Sequence, residues 1–327
     1  MKAIVHDRYG PPDNVLNLKD VDKPVPTDDE VLVRVHAAST NGGDPAVVGG
    51  RPYVIRIMGF GLFKPKNKIL GDDIAGRVEA VGKNVEQFQP DDEVFGFCSG
   101  AFAEYVCTSQ DWLAPKPANI TFEQAAAVPS SAVATLQGLR DQGQLQPGQK
   151  VLINGASGGV GTFAVQIAKS LGAEVTGVCS AKNADTARSI GADHIVDYAR
   201  EDFASTDERH DLMLDVAANR TLADCRRALT SRGTYVLIGG GHGRWVGGLP
   251  RFFTTRALSP FVSERMRAFF ATRSREDLVY VKTLIEGGEV TPIIDRTYPL
   301  SQTSQAISYV EEGHARGKVV ITAADPG

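Results

Sequence analysis

One stretch constrains the fold of this chain more than any other. The apolar run Val151-Leu152-Ile153-Asn154 passes into Gly155-Ala156-Ser157-Gly158-Gly159-Val160-Gly161. Beyond the turn, Val160, Phe163, Ala164, Ile167, Ala168 and Leu171 recur at three- and four-residue steps. A short apolar run closed by glycine reads as a buried strand, and the three-four spacing reads as a helix with one face on a sheet. The glycines between them allow a tight turn and a close approach of backbone to ligand, at a helix start whose free N–H groups and positive dipole attract a pyrophosphate. A glycine-rich stretch alone also fits a plain strand-to-helix turn. Here strand, turn, helix and a following strand fall in order, which points to dinucleotide binding through Gly155, Ala156, Ser157, Gly158, Gly159 and Val160.

From Lys150 onward strand-like runs alternate with helical ones: Val151 to Asn154, Glu174 to Cys179, His194 to Tyr198, Asp211 to Val216 and Tyr235 to Gly239. That rhythm predicts an α/β unit, a doubly wound Rossmann sheet of parallel strands with helices on both faces. Residues 1 to 120 instead alternate at period two between Pro- and Gly-rich breaks, as in Val31-Leu32-Val33-Arg34-Val35 and Glu93-Val94-Phe95-Gly96-Phe97, which predicts a mainly β unit. The chain has 327 residues, and at about 150 residues per domain that is room for two. The expected division is 1–123, 124–266 and 267–327, with the last segment, through Gly317-Lys318-Val319-Val320-Ile321, rejoining the first domain.

Composition narrows the partners. Hydrophobic residues make up 42% and charged residues 23%, which is ordinary for a folded domain. The net charge is −4 with scattered basic residues, so no footprint for nucleic acid is present and a small-molecule partner is expected. No run is apolar enough to span a bilayer. The opening Met1-Lys2-Ala3-Ile4-Val5-His6-Asp7-Arg8 breaks with charge before a signal-peptide core forms, and the chain is expected to be cytoplasmic. Cys98, Cys107, Cys179 and Cys225 form no C-x-x-C pair and read as free thiols in a reducing compartment. The six histidines are scattered, without a pair at metal-ligand spacing.

Cofactor choice turns on the tip of the second strand, where an acid would bind an adenosine ribose and repel a phosphate. The sequence there is Gly177-Val178-Cys179-Ser180-Ala181-Lys182, with no carboxylate. Ser180 and Lys182 are positioned to hydrogen-bond and neutralise a 2′-phosphate, which favours NADPH over NADH; a solvated surface lysine is the other reading of Lys182.

Gly71-Asp72-Asp73-Ile74-Ala75-Gly76-Arg77-Val78, Val81-Gly82, Asp91-Asp92-Glu93-Val94-Phe95-Gly96 and the turn Gly155 to Gly161, in this order, resemble the medium-chain dehydrogenase/reductase superfamily. The subgroup most similar is that of the zinc-independent quinone oxidoreductases and enoyl reductases. The resemblance spans essentially the whole chain. It implies a GroES-like catalytic domain, a Rossmann domain, a cleft between them and a homodimer. Zinc-dependent members hold their metal through a cysteine, a histidine and a second cysteine, where this chain has Asn41, Asp72 and Ser130. The structural zinc lobe is also missing, since only Cys98 and Cys107 lie in that region, so no metal is expected. Asn41 is implied to lie beside the nicotinamide, an Asn in an Asn-Gly turn being its lesser, alternative reading. Relatives commonly place a threonine where this chain has Ala134, with Thr135 following, which leaves Thr135 as the candidate contact. Tyr198 matches a position that contacts the adenosine phosphate, Gly239 and Gly240 would approach the nicotinamide, and Lys318 is taken to reach the phosphates.

Without a Lewis acid to acidify an alcohol, reduction of an already electrophilic substrate is the better reading. The expected reaction is hydride transfer from NADPH to a quinone or to the β-carbon of an α,β-unsaturated carbonyl. An enone also needs a proton at its α-carbon, for which Tyr53 is the candidate, packing beside Pro52 being its other reading. Asp44, Asp72 and Asp73 read as turn caps. Two alternatives stay open: a zinc-free alcohol dehydrogenase or carbonyl reductase, and a non-catalytic NADPH-binding sensor.

Overall fold

A computed structural model describes residues 1–238 and 248–323. The chain divides into two compact units, one of Ala132–Thr272 with Gly287–Thr291, the other of Met1–Ser131, Arg273–Glu286 and the chain from Pro292 on. The changeovers fall at 131/132 and 272/273, a few residues beyond the sequence boundaries at 123/124 and 266/267.

The first of these is the Rossmann unit. Its strands are β1 (Lys150–Asn154), β2 (Glu174–Cys179), β3 (His194–Asp197), β4 (His210–Asp215), β5 (Leu229–Leu237) and β6 (Arg265–Ala268), in the order β3-β2-β1-β4-β5-β6. Every neighbouring pair is parallel. The order reverses between β1 and β4, where Asn154 lies beside Asp215, and in such sheets ligands bind beyond the strand ends at that switch point. Leu152, Val178, Met213, Tyr235 and Leu237 form the core of one face.

Helix α1 (Gly159–Ser170) begins at the glycine turn. Its predicted stripe Phe163, Ala164, Ile167 and Ala168 is buried, but so are Thr162, Val165 and Gln166, so more than one face is covered. The reason is the return segment Gly287–Thr291: Gln166 donates through Nε2 to the Thr291 carbonyl at 3.0 Å and accepts the Thr291 N–H at 2.7 Å. Strand β6 had no signal of its own in the sequence. It is an edge strand of alternating Arg-Met-Arg-Ala, with Met266 and Ala268 buried and both arginines exposed.

The β-rich unit holds a seven-stranded sheet. Its path runs Ile294–Pro299, Lys318–Thr322, Glu30–Ser39, Asp73–Val81, Glu93–Phe97 and Leu113–Pro115, with Tyr105–Ser109 also paired to Glu30–Ser39. The period-two reading holds only in the middle of Glu30–Ser39, where Val33 and Val35 are buried and Arg34 is exposed; Val31, Leu32 and Val33 are buried in succession, as are Ala37, Ala38 and Ser39, so both faces of the strand ends are covered. The late strand Lys318–Thr322 pairs antiparallel with this same strand, placing Val320 opposite Ser39. Lys318 therefore enters the sheet close to the residues that follow Ser39. Among the described residues, no helix is long and apolar enough to cross a membrane, and all four cysteines are free thiols.

Candidate functional site

In the Rossmann unit the turn after β1 is built for close approach. Gly155 has φ +98°, a left-handed conformation that glycine adopts without penalty. A side chain on Gly161 would collide with the Gly155 carbonyl and the Ala156 backbone, so only glycine lets α1 start directly against the turn. The Gly158 N-cap has no side-chain partner, which leaves the first N–H groups of α1 for an anion. Thr135 is buried and its hydroxyl donates to the Val160 carbonyl at 3.3 Å, tying the preceding helix to this helix start.

Ser180 lies half-buried at the tip of β2, Lys182 is exposed, and Tyr198 is 53% exposed. The Tyr198 N–H donates to the Cys179 carbonyl at 3.2 Å, so strand register brings Tyr198 to the same tip as Ser180. Asn183 was not singled out in the sequence. It is only 7% exposed, donates through Nδ2 to Ser157 Oγ at 3.0 Å, and among the described residues has no partner for its Oδ1. An orphaned buried acceptor touching the phosphate turn suits a ligand hydroxyl. The only sequence signal for it was its place one residue after Lys182. Gly239 and Gly240 lie outside the described residues.

A second group at the switch point was also missed. Asn154 donates to Asp215 Oδ1 at 2.8 Å, and Asp215 Oδ2 accepts from the Tyr235 hydroxyl at 2.6 Å and from Arg251 at 2.8 Å. Desolvation, together with the buried Asp215 carboxylate, pushes the Tyr235 hydroxyl above its ordinary value, so it stays protonated and donates.

In the β-rich unit, Asp73 is fully buried at the start of its strand. Its carboxylate accepts from Asn41 Nδ2 at 3.0 Å, from Ser39 Oγ at 3.3 Å, and from Ser130 through both N–H (3.1 Å) and hydroxyl (2.5 Å). Lys318, its side chain 2% exposed, places Nζ 3.7 Å from Asp73 and donates to Asn41 Oδ1 at 2.7 Å. Burial lowers the Lys318 ammonium, opposed by Asp73 and Asp44. The aspartate that joins Asn41 to Ser130 is thus Asp73. Asp72, one residue earlier, meets Arg273 at 2.8 Å instead.

The donor set around Asn41 comprises an amide, a carboxylate, two hydroxyls and an ammonium, and it includes no thiolate or imidazole of the kind zinc takes. Among the described residues no group of three or more His, Cys, Asp or Glu is arranged to hold a metal ion.

Close by, Asp44 is buried and accepts the Asn41 N–H through Oδ2 at 2.8 Å. It lines a cavity of about 260 Å³ together with Tyr9, Phe60, Asn67, Leu70 and Asp72. Burial pushes the Asp44 carboxyl up to about 7, the carboxylates of Asp72 and Asp73 acting in the same direction and Lys318 against. Tyr53 is not among the residues lining this cavity; its ring lies 4.9 Å from the Arg56 guanidinium.

Comparison with known proteins places the chain in a family. The alcohol dehydrogenase GroES-like domain family matches residues 27–118, and the zinc-binding dehydrogenase family matches residues 190–321. The chain is 32% identical to the mitochondrial NAD(P)H oxidoreductase RTN4IP1 of Mus musculus, covering 98% of this chain and 89% of that one. It is 29% identical to the chloroplastic NADPH-dependent alkenal/one oxidoreductase of Arabidopsis thaliana, covering 98% and 79%. The quinone oxidoreductase from Coxiella burnetii superposes with a TM-score of 0.86 at 29% identity, over 99% of both chains. Fold and site define an oxidoreductase, and the chain belongs to the medium-chain dehydrogenase/reductase superfamily, in its quinone-oxidoreductase-like subgroup.

Proposed function

We propose that the protein uses NADPH to reduce a quinone or an α,β-unsaturated carbonyl without zinc. The observation that carries this reading is the Asn41–Asp73–Ser130–Lys318 network. Asn41 and Ser130, two of the three positions where zinc-dependent relatives hold their metal, both bond to Asp73, and a buried ammonium already supplies the positive charge. Nothing there would acidify an alcohol, so the acceptor is one that needs no such help. The names of two relatives, a quinone oxidoreductase and an alkenal/one oxidoreductase, fit the same class of acceptor.

NADPH, when bound, supplies the hydride. The N–H groups of Gly155 to Val160 cradle its pyrophosphate, and Asn183 offers Oδ1 to a ribose hydroxyl. Ser180 and Lys182, on the β2 tip whose own residues include no carboxylate, would receive the 2′-phosphate together with Tyr198, which supports NADPH over NADH. Asn41 would hold the nicotinamide, as the resemblance implies. Lys318 belongs with Asn41, whose amide it orients, rather than with the phosphates. The cytosol and a homodimer are part of the same reading, testable by fractionation and by sedimentation.

The test is nicotinamide oxidation against a panel of quinones, 2-alkenals and simple ketones, with NADH and a chelator-treated sample in parallel. Turnover of quinones or alkenals that prefers NADPH and survives chelation supports the proposal. Turnover of simple ketones alone supports a zinc-free carbonyl reductase. Tight NADPH binding without turnover of any acceptor makes the protein a sensor, and loss of activity on chelation overturns the zinc-free assignment.

A further inference from the structure

We propose that Asp44 is the general acid that protonates the α-carbon of an enone, which assigns the cavity lined by Tyr9, Phe60, Leu70 and Asn67 to α,β-unsaturated carbonyls. This rests on the hydride-transfer reading above and names its missing proton donor.

The backbone fixes Asp44 in place. Its N–H donates to the Asn41 carbonyl at 3.0 Å, and its Oδ2 accepts the Asn41 N–H at 2.8 Å, so the four-residue turn Asn41-Gly42-Gly43-Asp44 is closed from both ends. Oδ2 is engaged by that bond, and among the described residues no group bonds to Oδ1. The residue is 6% exposed, and that remaining contact is with a cavity of about 260 Å³, whose wall includes the apolar Val47, Phe60, Ile69 and Leu70. A carboxyl held rigidly beside apolar surface keeps its proton at a pH where an exposed one has lost it.

The titratable groups facing it are Asp73 at the start of the neighbouring strand and Asp72 just before it, Lys318 from the late strand, and Tyr9 and Lys66 on the cavity wall. Burial has the largest effect and favours the protonated form, the Asn41 N–H bond and Lys318 oppose it, and Asp72 and Asp73 act with burial. The rival donors are placed differently. Lys318 is bonded to Asn41 and does not line the cavity, and Tyr53 packs against Arg51 and Arg56.

The step balances. Hydride adds to the β-carbon and the C=C electron pair moves to form an enolate. The α-carbon then takes the proton from Asp44 Oδ1, leaving a saturated carbonyl and an Asp44 carboxylate, which regains a proton from water entering the cavity. A quinone ends instead as a hydroquinone anion, protonated on oxygen by water, and does not draw on Asp44.

The test compares wild type with Asp44→Asn, which keeps the shape and the acceptor for the Asn41 N–H, using an α-substituted enone and a quinone with NADPH. The enone-to-quinone ratio of kcat is expected to fall about 100-fold in the variant, the size of general-acid catalysis. The reduced ketone is expected as one configuration at the α-carbon from wild type and as both from the variant. Equal loss for both acceptors, or a single configuration retained in the variant, overturns the proposal. Should the variant not fold, wild type decides alone. Its enone kcat falls as pH rises through about 7 while its quinone kcat does not, and a wild-type product of mixed configuration overturns the assignment. Wild type that reduces quinones but no enone overturns the Asp44 role only, whereas wild type that reduces neither overturns the hydride-transfer reading itself.

Discussion

Lys318 Nζ donates to Asn41 Oδ1 at 2.7 Å across 277 positions of sequence, and that bond decides which way the Asn41 amide points. With Oδ1 turned to the ammonium, Nδ2 is turned to Asp73 at 3.0 Å. Replacing the lysine leaves the buried Asp73 carboxylate without its counter-charge. Lys318→Met is therefore expected to destabilise the β-rich unit by about 3 kcal/mol, as for other buried pairs that lose one partner. Denaturant unfolding measures this. In the folded variant, the salt dependence of NADPH binding should keep its wild-type slope; a shallower slope would return Lys318 to the phosphates.

This pair shows where sequence reading reaches its limit. The turn from Gly155 to Gly161 was legible because its physics is local: strand, glycines and helix start are contiguous, and Gly161 is demanded by the carbonyl of Gly155 only six residues away. The resemblance pointed to Asn41 and put Asp72 at a metal-holding position, but gave no partner for Asn41, which the fold shows to be Asp73. Successive residues at a strand start face opposite ways, so Asp73 enters the network while Asp72 meets Arg273. Lys318 read as a phosphate cation because nothing adjacent in sequence reveals its burial. The Asp215–Tyr235–Arg251 group and Asn183 were invisible for the same reason, since each is defined by partners that only the fold brings near.

Gly161 offers the strictest test of the phosphate turn. An added methyl would overlap the Gly155 carbonyl and the Ala156 backbone, and backbone on both sides cannot yield cheaply. Gly161→Ala is expected to cost about 1–3 kcal/mol of stability through overpacking and to weaken NADPH binding as the helix start is pushed away. Thermal melts with and without NADPH measure both effects, and a variant with wild-type stability and affinity would contradict the geometry.

At the cofactor tip, Lys182 is exposed and Ser180 half-buried, and Asp197, at the end of the neighbouring strand, lies in register with Cys179. Lys182→Glu places a carboxylate where the 2′-phosphate is assigned. The NADPH-to-NADH ratio of kcat/KM is expected to fall about tenfold or more, on the order of one charge-assisted contact. Steady-state kinetics with both cofactors checks it; an unchanged ratio would leave Lys182 as a solvated surface residue.

Asn183 carries an internal compensation. Its Nδ2 satisfies Ser157 Oγ while its Oδ1 is buried unpaired, so removing the side chain loses one bond and one orphan together. An unpaired buried acceptor costs about 1–3 kcal/mol, similar to what the bond contributes. Asn183→Ala is therefore expected to leave the melting temperature of the unliganded protein nearly unchanged, yet to weaken NADPH binding roughly tenfold as the ribose hydroxyl loses its acceptor. Calorimetric titration beside thermal melts separates the two. Loss of stability without loss of affinity would make Asn183 a structural residue of the turn.

Asp44 links function to stability through pH, and the sign follows from its burial. Its carboxyl is raised from 3.8 to about 7 in the folded protein, so folding takes up a proton between those values. A raised value contributes stability that is complete below 3.8 and is lost as pH rises through about 7. Spread over that interval the loss is on the order of 4 kcal/mol. Asp44→Asn removes it, because an amide carries no charge to bury. Relative to wild type, the variant is expected to gain stability steadily as pH rises from 3.8 to about 7 and to hold that gain above it. Unfolding curves of both proteins across this range give the difference directly, and a difference that does not change with pH would mean that Asp44 is ionised in the folded protein and cannot serve as an acid.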